Sequence, residues 1–309
     1  MKNWFFVALL LCATAAYSMP MGTSARSMVP AEIQQIISVD YRALKDSPTA
    51  QALKAQVLPD NLKEFEAALK AIGIDADRDL DQLTFASFRS GKQGLQVVSV
   101  AQGSFSAKSV LKKMKLKKIS GTKYGTAFLY PMNNGLIMTF LDEYTLAFGT
   151  SASLKSALDA RDGKRPTLDS NPTMNDQMAS VDSSPVWSIL DQQGTQAMLR
   201  SALGDASKVA DYDTIKKRLL ASRYTMSFQN GVKFDLTVAT SDSMTAATLS
   251  SLVKAGMLYK KLNASPVEKT AIDATTVDSD SSNLQVHFKT DDQKFQSLLH
   301  SELFIAVSR

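Results

Sequence analysis

Few side chains in this chain could carry chemistry, and their spacing gives little support to any. There are two histidines. His287 lies between Val286 and Phe288 in an alternating run and belongs to the polar face of a strand, while His300 follows Leu298 and Leu299 on a helix. A zinc site would need both, plus carboxylates, and a Ser-His-Asp triad would need one beside an activated serine. No Gly-x-Ser-x-Gly elbow accompanies any serine. The Ser-x-x-Lys motif of penicillin-interacting enzymes occurs at Ser109-Val110-Leu111-Lys112 and Ser251-Leu252-Val253-Lys254, without companion Ser-Asp-Asn or Lys-Thr-Gly motifs. Both matches fall in amphipathic helices, where serine and lysine are ordinary surface residues. Asp278-Ser279-Asp280-Ser281-Ser282 begins like a calcium loop, but Asn283 and Lys289 stand where the glycine and the closing glutamate belong, so it reads as an acidic hairpin turn. No glycine-rich nucleotide loop is present. Asp235 and Asp142 remain as lone carboxylates in or beside strands. The expectation is no catalytic residue, no cofactor and no metal.

The densest charge run is Lys112-Lys113-Met114-Lys115-Leu116-Lys117-Lys118, at a helix end. Cations there complement the helix dipole and keep the surface solvated. The functional alternative is that Lys112, Lys113, Lys115, Lys117 and Lys118 contact anionic lipid or a cell-envelope polymer. No aromatic residue interleaves the run, which argues against nucleic acid. Among thirteen methionines, Met226 and Met244 are expected on core faces, where methionine fills irregular gaps and could also line a plastic apolar pocket.

The elements that position these groups are legible as local patterns. In 223–261, Tyr224, Met226 and Phe228 alternate with polar residues, as do Val232, Phe234, Leu236 and Val238, around the hairpin turn Gln229-Asn230-Gly231. Ser241-Asp242-Ser243 then offers N-cap oxygens to a helix whose period begins with Met244, Ala247, Leu252 and Met257. Earlier, 33–40 reads as a strand. Helices follow over 49–57 (Ala52, Leu53 and Leu58 on one side) and from Asn61 through Leu62, Phe65, Leu69 and Ile72 to Gly73. A hairpin follows at 83–101, a helix over 106–116, a second hairpin of strands 123–130 and 136–141, a strand at 144–148, and a helix through Leu154 and Leu158. Residues 161–171, with Pro166 and nearby Pro172, have linker composition.

The order then repeats. A strand at 186–190 is followed by a helix around 193–199, another over 212–220, the hairpin at 224–240 and its helix, a hairpin at 274–289, and a capped helix with Phe295, Leu298 and Leu299. The expected fold is therefore α+β, in two similar halves. Each half is a mainly antiparallel sheet with helices packed on one face. The division is a signal peptide at 1–18, a leader at 19–30, a first repeat at 31–163, a linker at 164–172 and a second repeat at 173–309.

Composition bounds the function class. The chain has 309 residues, 44% hydrophobic and 21% charged, with a formal charge of +5. This is a globular balance without the concentrated basic face of a nucleic-acid binder. Lys2, the short apolar run Trp4 to Leu11 and the small residues after it form a secretory signal, with cleavage after Ala16 or Ser18. Acylation of Cys12, the single cysteine, is disfavoured by the bulk of Leu11. After cleavage the chain has no cysteine, and its core must hold it without disulfides in an oxidising compartment. The expected location is periplasmic or extracellular, with no transmembrane span.

Val29-Pro30-Ala31 followed by Ser38-Val39-Asp40, within this element order, resembles uncharacterised exported bacterial proteins built from duplicated α+β units. That resemblance implies no activity. Three functions remain open. They are a non-enzymatic binding or interaction protein of the envelope, a carrier of an apolar small molecule or lipid, and a hydrolase without a recognisable motif. The partner would be an envelope protein or an apolar ligand rather than nucleic acid.

Overall fold

The computed structural model describes residues 20–57, 60–91, 94–203 and 212–301. The segment 1–18 with Cys12, Leu58 and the side chain of Leu62 lie outside that description. In chain order the elements are α1 (Thr23–Ser27), β1 (Ile33–Asp40), α2 (Tyr41–Lys45), α3 (Pro48–Val57), α4 (Asp60–Ala71), α5 (Ala76–Asp79), β2 (Leu80–Arg89), β3 (Leu95–Gly103) and α6 (Ala107–Leu116). They continue with β4 (Thr122–Tyr124), β5 (Ala127–Pro131), β6 (Ile137–Phe140), β7 (Thr145–Gly149), α7 (Ser151–Arg161), α8 (Pro172–Ala179), β8 (Val186–Leu190) and α9 (Gln192–Leu203). The remainder is α10 (Tyr212–Lys217), β9 (Leu219–Ser227), β10 (Val232–Thr240), α11 (Ser243–Asn263), α12 (Pro266–Asp273), β11 (Thr275–Asp280), β12 (Asn283–Thr290) and α13 (Asp292–Leu299).

The strands form one antiparallel sheet of 12, in the order β11-β12-β10-β9-β8-β1-β2-β3-β7-β6-β5-β4. It is continuous through the middle because β1 pairs with β8, with Ile36 opposite Ile189 and Ser38 opposite Trp187. The fold is α+β, as the alternation of strand and helix periods implies.

Alternation explains the layers, and one expectation is corrected. Helices were expected on a single face, but from β1 to β7 both faces are covered. On β7, Ala147 joins one core with Phe88, Leu154 and Trp187, while Leu146 and Phe148 point the opposite way into a core with Phe65, Leu83, Val110 and Met114. All five residues of β7 are buried, so the strand shows no wet face. Beyond β8 one face is covered, by Leu199, Tyr212, Ile215 and Leu249 near one end and by Phe295, Leu298 and Leu299 near the other. The opposite face keeps Lys233, Asp235 and His287 at the surface or half-buried.

Other expectations are refined locally. The strand read over 123–130 is two strands, because Gly125 turns the chain at φ +56°. The helix read over 212–220 stops at Lys217, and Leu219 already belongs to β9. Helices α8 and α12 form although no periodic run announced them. Each has proline in its first turn and a capping side chain, and in α12 Ser265 and Glu268 make a reciprocal capping box.

The leader and the linker pack against each other. Met21, Ala25, Met28 and Val29 are buried, Leu168 is fully buried, and its amide donates to the Val29 carbonyl at 2.8 Å. Met244, read as core-facing, is exposed, as is Ala247 of the same period, and α11 instead buries Thr245, Ala246, Leu249 and Ser250. Two apolar periods run along this helix out of step, and the inner one begins with alanine rather than methionine.

Candidate functional site

The lysine run lies on α6 and the loop leaving it. Ser106 caps the helix: its hydroxyl accepts from the Ser109 amide at 3.5 Å and donates to Glu143 at 2.7 Å. Ala107, Val110 and Met114 are buried against the sheet, which forces the lysines between them outward. Lys112, Lys113, Lys115, Lys117 and Lys118 are all exposed. Two of them have structural partners. The Lys113 ammonium donates to the Gly73 carbonyl at 3.4 Å and Lys117 donates to the Ala71 carbonyl, so both satisfy the end of α4 and its negative dipole pole.

The end of α6 turns the remaining cations and an apolar side chain to solvent. Lys118 adopts φ +58°, and the Ile119 amide donates back to the Met114 carbonyl at 3.0 Å, an arrangement usually built on glycine. Ile119 returns to the core, while Leu116 is left 77% exposed. Four residues on, β4 brings Lys123 opposite Phe128 of β5, and Phe128 is 51% exposed. Between Ala107 and Tyr124 the chain contains no aspartate or glutamate. Lys108, Lys112, Lys115, Lys118 and Lys123 are all exposed, as are Leu116 and Phe128. Phe128 supplies the aromatic that the linear run lacks. Reading 123–130 as one strand concealed it, and the glycine at 125 was the available signal.

The other candidates are engaged locally. Asp235 accepts from His287 at 2.6 Å and pairs with Lys233 at 2.8 Å. Burial raises its carboxyl pKa, but the hydrogen bonds from Lys233 and His287 outweigh that and leave it below the ordinary carboxylate range. His300 Nδ1 lies 3.0 Å from the Gln296 carbonyl. Asp142 accepts from the Tyr144 amide at 2.9 Å. The Ser251 hydroxyl donates to the Ala247 carbonyl at 3.0 Å, and Lys254 lies 3.9 Å from Asp278. The acidic run forms a hairpin turn with Ser281 at φ +52°. Among the described residues no cluster of three or more His, Cys, Asp or Glu side chains is placed to hold a metal. No helix among them is long and apolar enough to cross a membrane. A cleft of about 140 Å³ lies between α12, β12 and α13, lined by Val267, Ala271, Phe288, Lys294 and Leu298.

No family model matches the chain, and no curated protein matches it. Among solved structures, crystal form I of TP0453 aligns over 93% of this chain and 99% of that one, with a TM-score of 0.50 and 10% identity. Crystal form III of the same protein gives a TM-score of 0.47 at 8% identity, over 91% of this chain and 97% of that one. The first likeness spans nearly the whole of both chains and is one of fold alone.

Proposed function

We propose that this chain is an exported, non-enzymatic envelope protein that acts by surface contact, docking the lysine face of α6 on an anionic lipid surface. The observation that carries the reading is the run of exposed lysines from Lys108 to Lys123 with no intervening carboxylate, together with exposed Leu116 within the run and exposed Phe128 opposite Lys123. Each lysine near an anionic bilayer contributes about 1 kcal/mol, and a leucine and a phenylalanine add shallow apolar contact. The reading of 1–18 as a secretory signal, from Lys2, the apolar run Trp4 to Leu11 and the small residues after it, supports the location. The order β1-β2-β3-β7-β6, extended by β5 and β4, on one side of the central pairing and β8-β9-β10-β12-β11 on the other supports the reading as two similar halves.

The carrier reading rests on the cleft under α12. At about 140 Å³ it is smaller than the roughly 300–1,000 Å³ of ordinary ligand sites. The hydrolase reading rests on Asp235 and Asp142, and both carboxylates already have local partners.

The test is cosedimentation of the chain from residue 19 with vesicles. Binding to phosphatidylglycerol-containing vesicles, absent on phosphatidylcholine vesicles and weakening steeply with salt, is the expected result. Equal binding to both, or to neither, overturns it.

A further inference from the structure

We propose that the outward face of α11 is where two copies of this chain associate, helix against helix in antiparallel orientation. At 1.5 Å per residue α11 is about 31 Å long. Its inner face packs Leu249, Leu252, Val253 and Met257 on the sheet. Its outer face presents Met244, Thr248, Ser251, Ala255, Leu258 and Leu262, at alternating spacings of four and three that match the seam of a coiled coil. Met244 is 75% exposed, Leu258 66% and Leu262 75%. A helix apolar on two opposite sides normally has protein on both.

The spacing identifies the occupant, because it reads the same in both directions. In an antiparallel pair about a two-fold axis, Met244 faces Leu262 of the second copy, Thr248 faces Leu258, and Ser251 faces Ala255. This is the self-complementary contact that a symmetric dimer requires. The small central residues let the helices approach closely. Their hydroxyls are already satisfied, since Thr248 donates to the Met244 carbonyl at 2.8 Å and Ser251 to the Ala247 carbonyl at 3.0 Å, so burying them strands no donor.

Charge selects the same orientation. No acidic residue lies between Ser243 and Asn263, Asp242 sits at the N-terminal end and Lys260 and Lys261 at the other. Antiparallel packing opposes the helix dipoles, whereas parallel packing aligns them and sets Lys261 beside Lys261; within each chain Lys261 pairs with Asp273 and Asp242 with Arg218. Lys254, which approaches its twin near the two-fold axis, lies 3.9 Å from Asp278. A lipid surface fits less well, because the middle of the stripe offers hydroxyls and a methyl group rather than large side chains. A single helix pair of this length is a small interface, below the roughly 1,600 Å² of a standard one, so the dimer is weak.

Sedimentation velocity across roughly 1–500 μM tests this, and the expected result is a shift from monomer to dimer with a Kd on the order of tens of μM. Leu258→Glu with Leu262→Glu keeps the chain monomeric at every concentration, with circular dichroism and melting unchanged because both side chains are solvent-exposed. In a Cys12→Ala background, Met244→Cys combined with Leu262→Cys gives a disulfide-linked dimer, and Met244→Cys alone does not. A wild-type chain that stays monomeric throughout, a dimer indifferent to the glutamates, or efficient self-crosslinking of Met244→Cys alone each overturns the proposal. If the wild type stays monomeric and the glutamates abolish vesicle binding, the stripe is a lipid contact instead. The lysine face of α6 is untouched by these variants, so its own vesicle test stands or fails separately.

Discussion

Asp242 closes the first turn of α11, accepting from the Thr245 amide at 2.8 Å and from the Thr245 hydroxyl at 2.9 Å. The bond from the Thr245 amide, then those from the Ser241 and Thr245 hydroxyls, pull its carboxyl down to about 2. A depressed carboxylate contributes stability that is complete above its ordinary pKa, near 3.9, and fades as pH falls toward 2. Asp242→Ala should therefore lower the melting temperature at pH 7, and the gap to wild type should close between about pH 4 and pH 2. A gap that persists at pH 2 would contradict the cap assignment. Gly231, at φ +97°, is the second residue whose type is dictated: a Cβ there would sit 2.3 Å from the Thr290 carbonyl oxygen. Gly231→Ala should cost about 2–3 kcal/mol in urea unfolding, against about 1 kcal/mol for Gly94→Ala, which has the same handedness but open space around it. The Asn-Gly turn and the capping cluster were both readable in the sequence because their causes lie within four residues. Which of Ser241, Asp242 and Ser243 caps the helix was not, because all three can accept.

At the scale of elements, local composition misled where tertiary contacts decided. Residues 161–171 have the composition of a linker, yet Arg165 pairs with Glu32 at 2.9 Å, Ala31 donates to the Pro166 carbonyl at 3.0 Å, and Leu168 is fully buried. Under native conditions trypsin should leave Arg161 and Lys164 uncut. Leu168→Ala should cost about 2–4 kcal/mol and expose the segment to cleavage. Rapid cutting of the wild type there would show the segment to be a free linker. The α6 lysines were visible as a run, but their division into two that satisfy α4 and three that face solvent depends on where α4 ends in space. Met244 shows the reverse problem. Its helical period was real, and nothing in the sequence said that the period faced outward.

For the whole molecule, the strands were legible and their neighbours were not, because alternation specifies a face but not a partner. The pairing of β1 with β8 joins everything into one sheet, and Trp187 and Ile189 of β8 share a core with Ile33 and Ile36 of β1. Arg89 of β2 reaches Asp191, just after β8, at 2.7 Å across the same region. The sheet should therefore unfold as a unit. Trp187 fluorescence and far-UV circular dichroism should give coincident denaturation curves, and Ile189→Ala should shift both by about 2–4 kcal/mol. Two separated transitions would mean that the central pairing does not couple the sides.

Contact through the α6 face is tested most directly by one comparison. Lys112→Gln, Lys115→Gln and Lys118→Gln combined, whose side chains make no hydrogen bond or ion pair among the described residues, should abolish cosedimentation with phosphatidylglycerol vesicles without changing the melting curve. The same number of charges removed at Lys254, Lys260 and Lys269 should leave most of the binding intact. Equal losses from the two sets would mean that net charge, not this face, is what the surface reads.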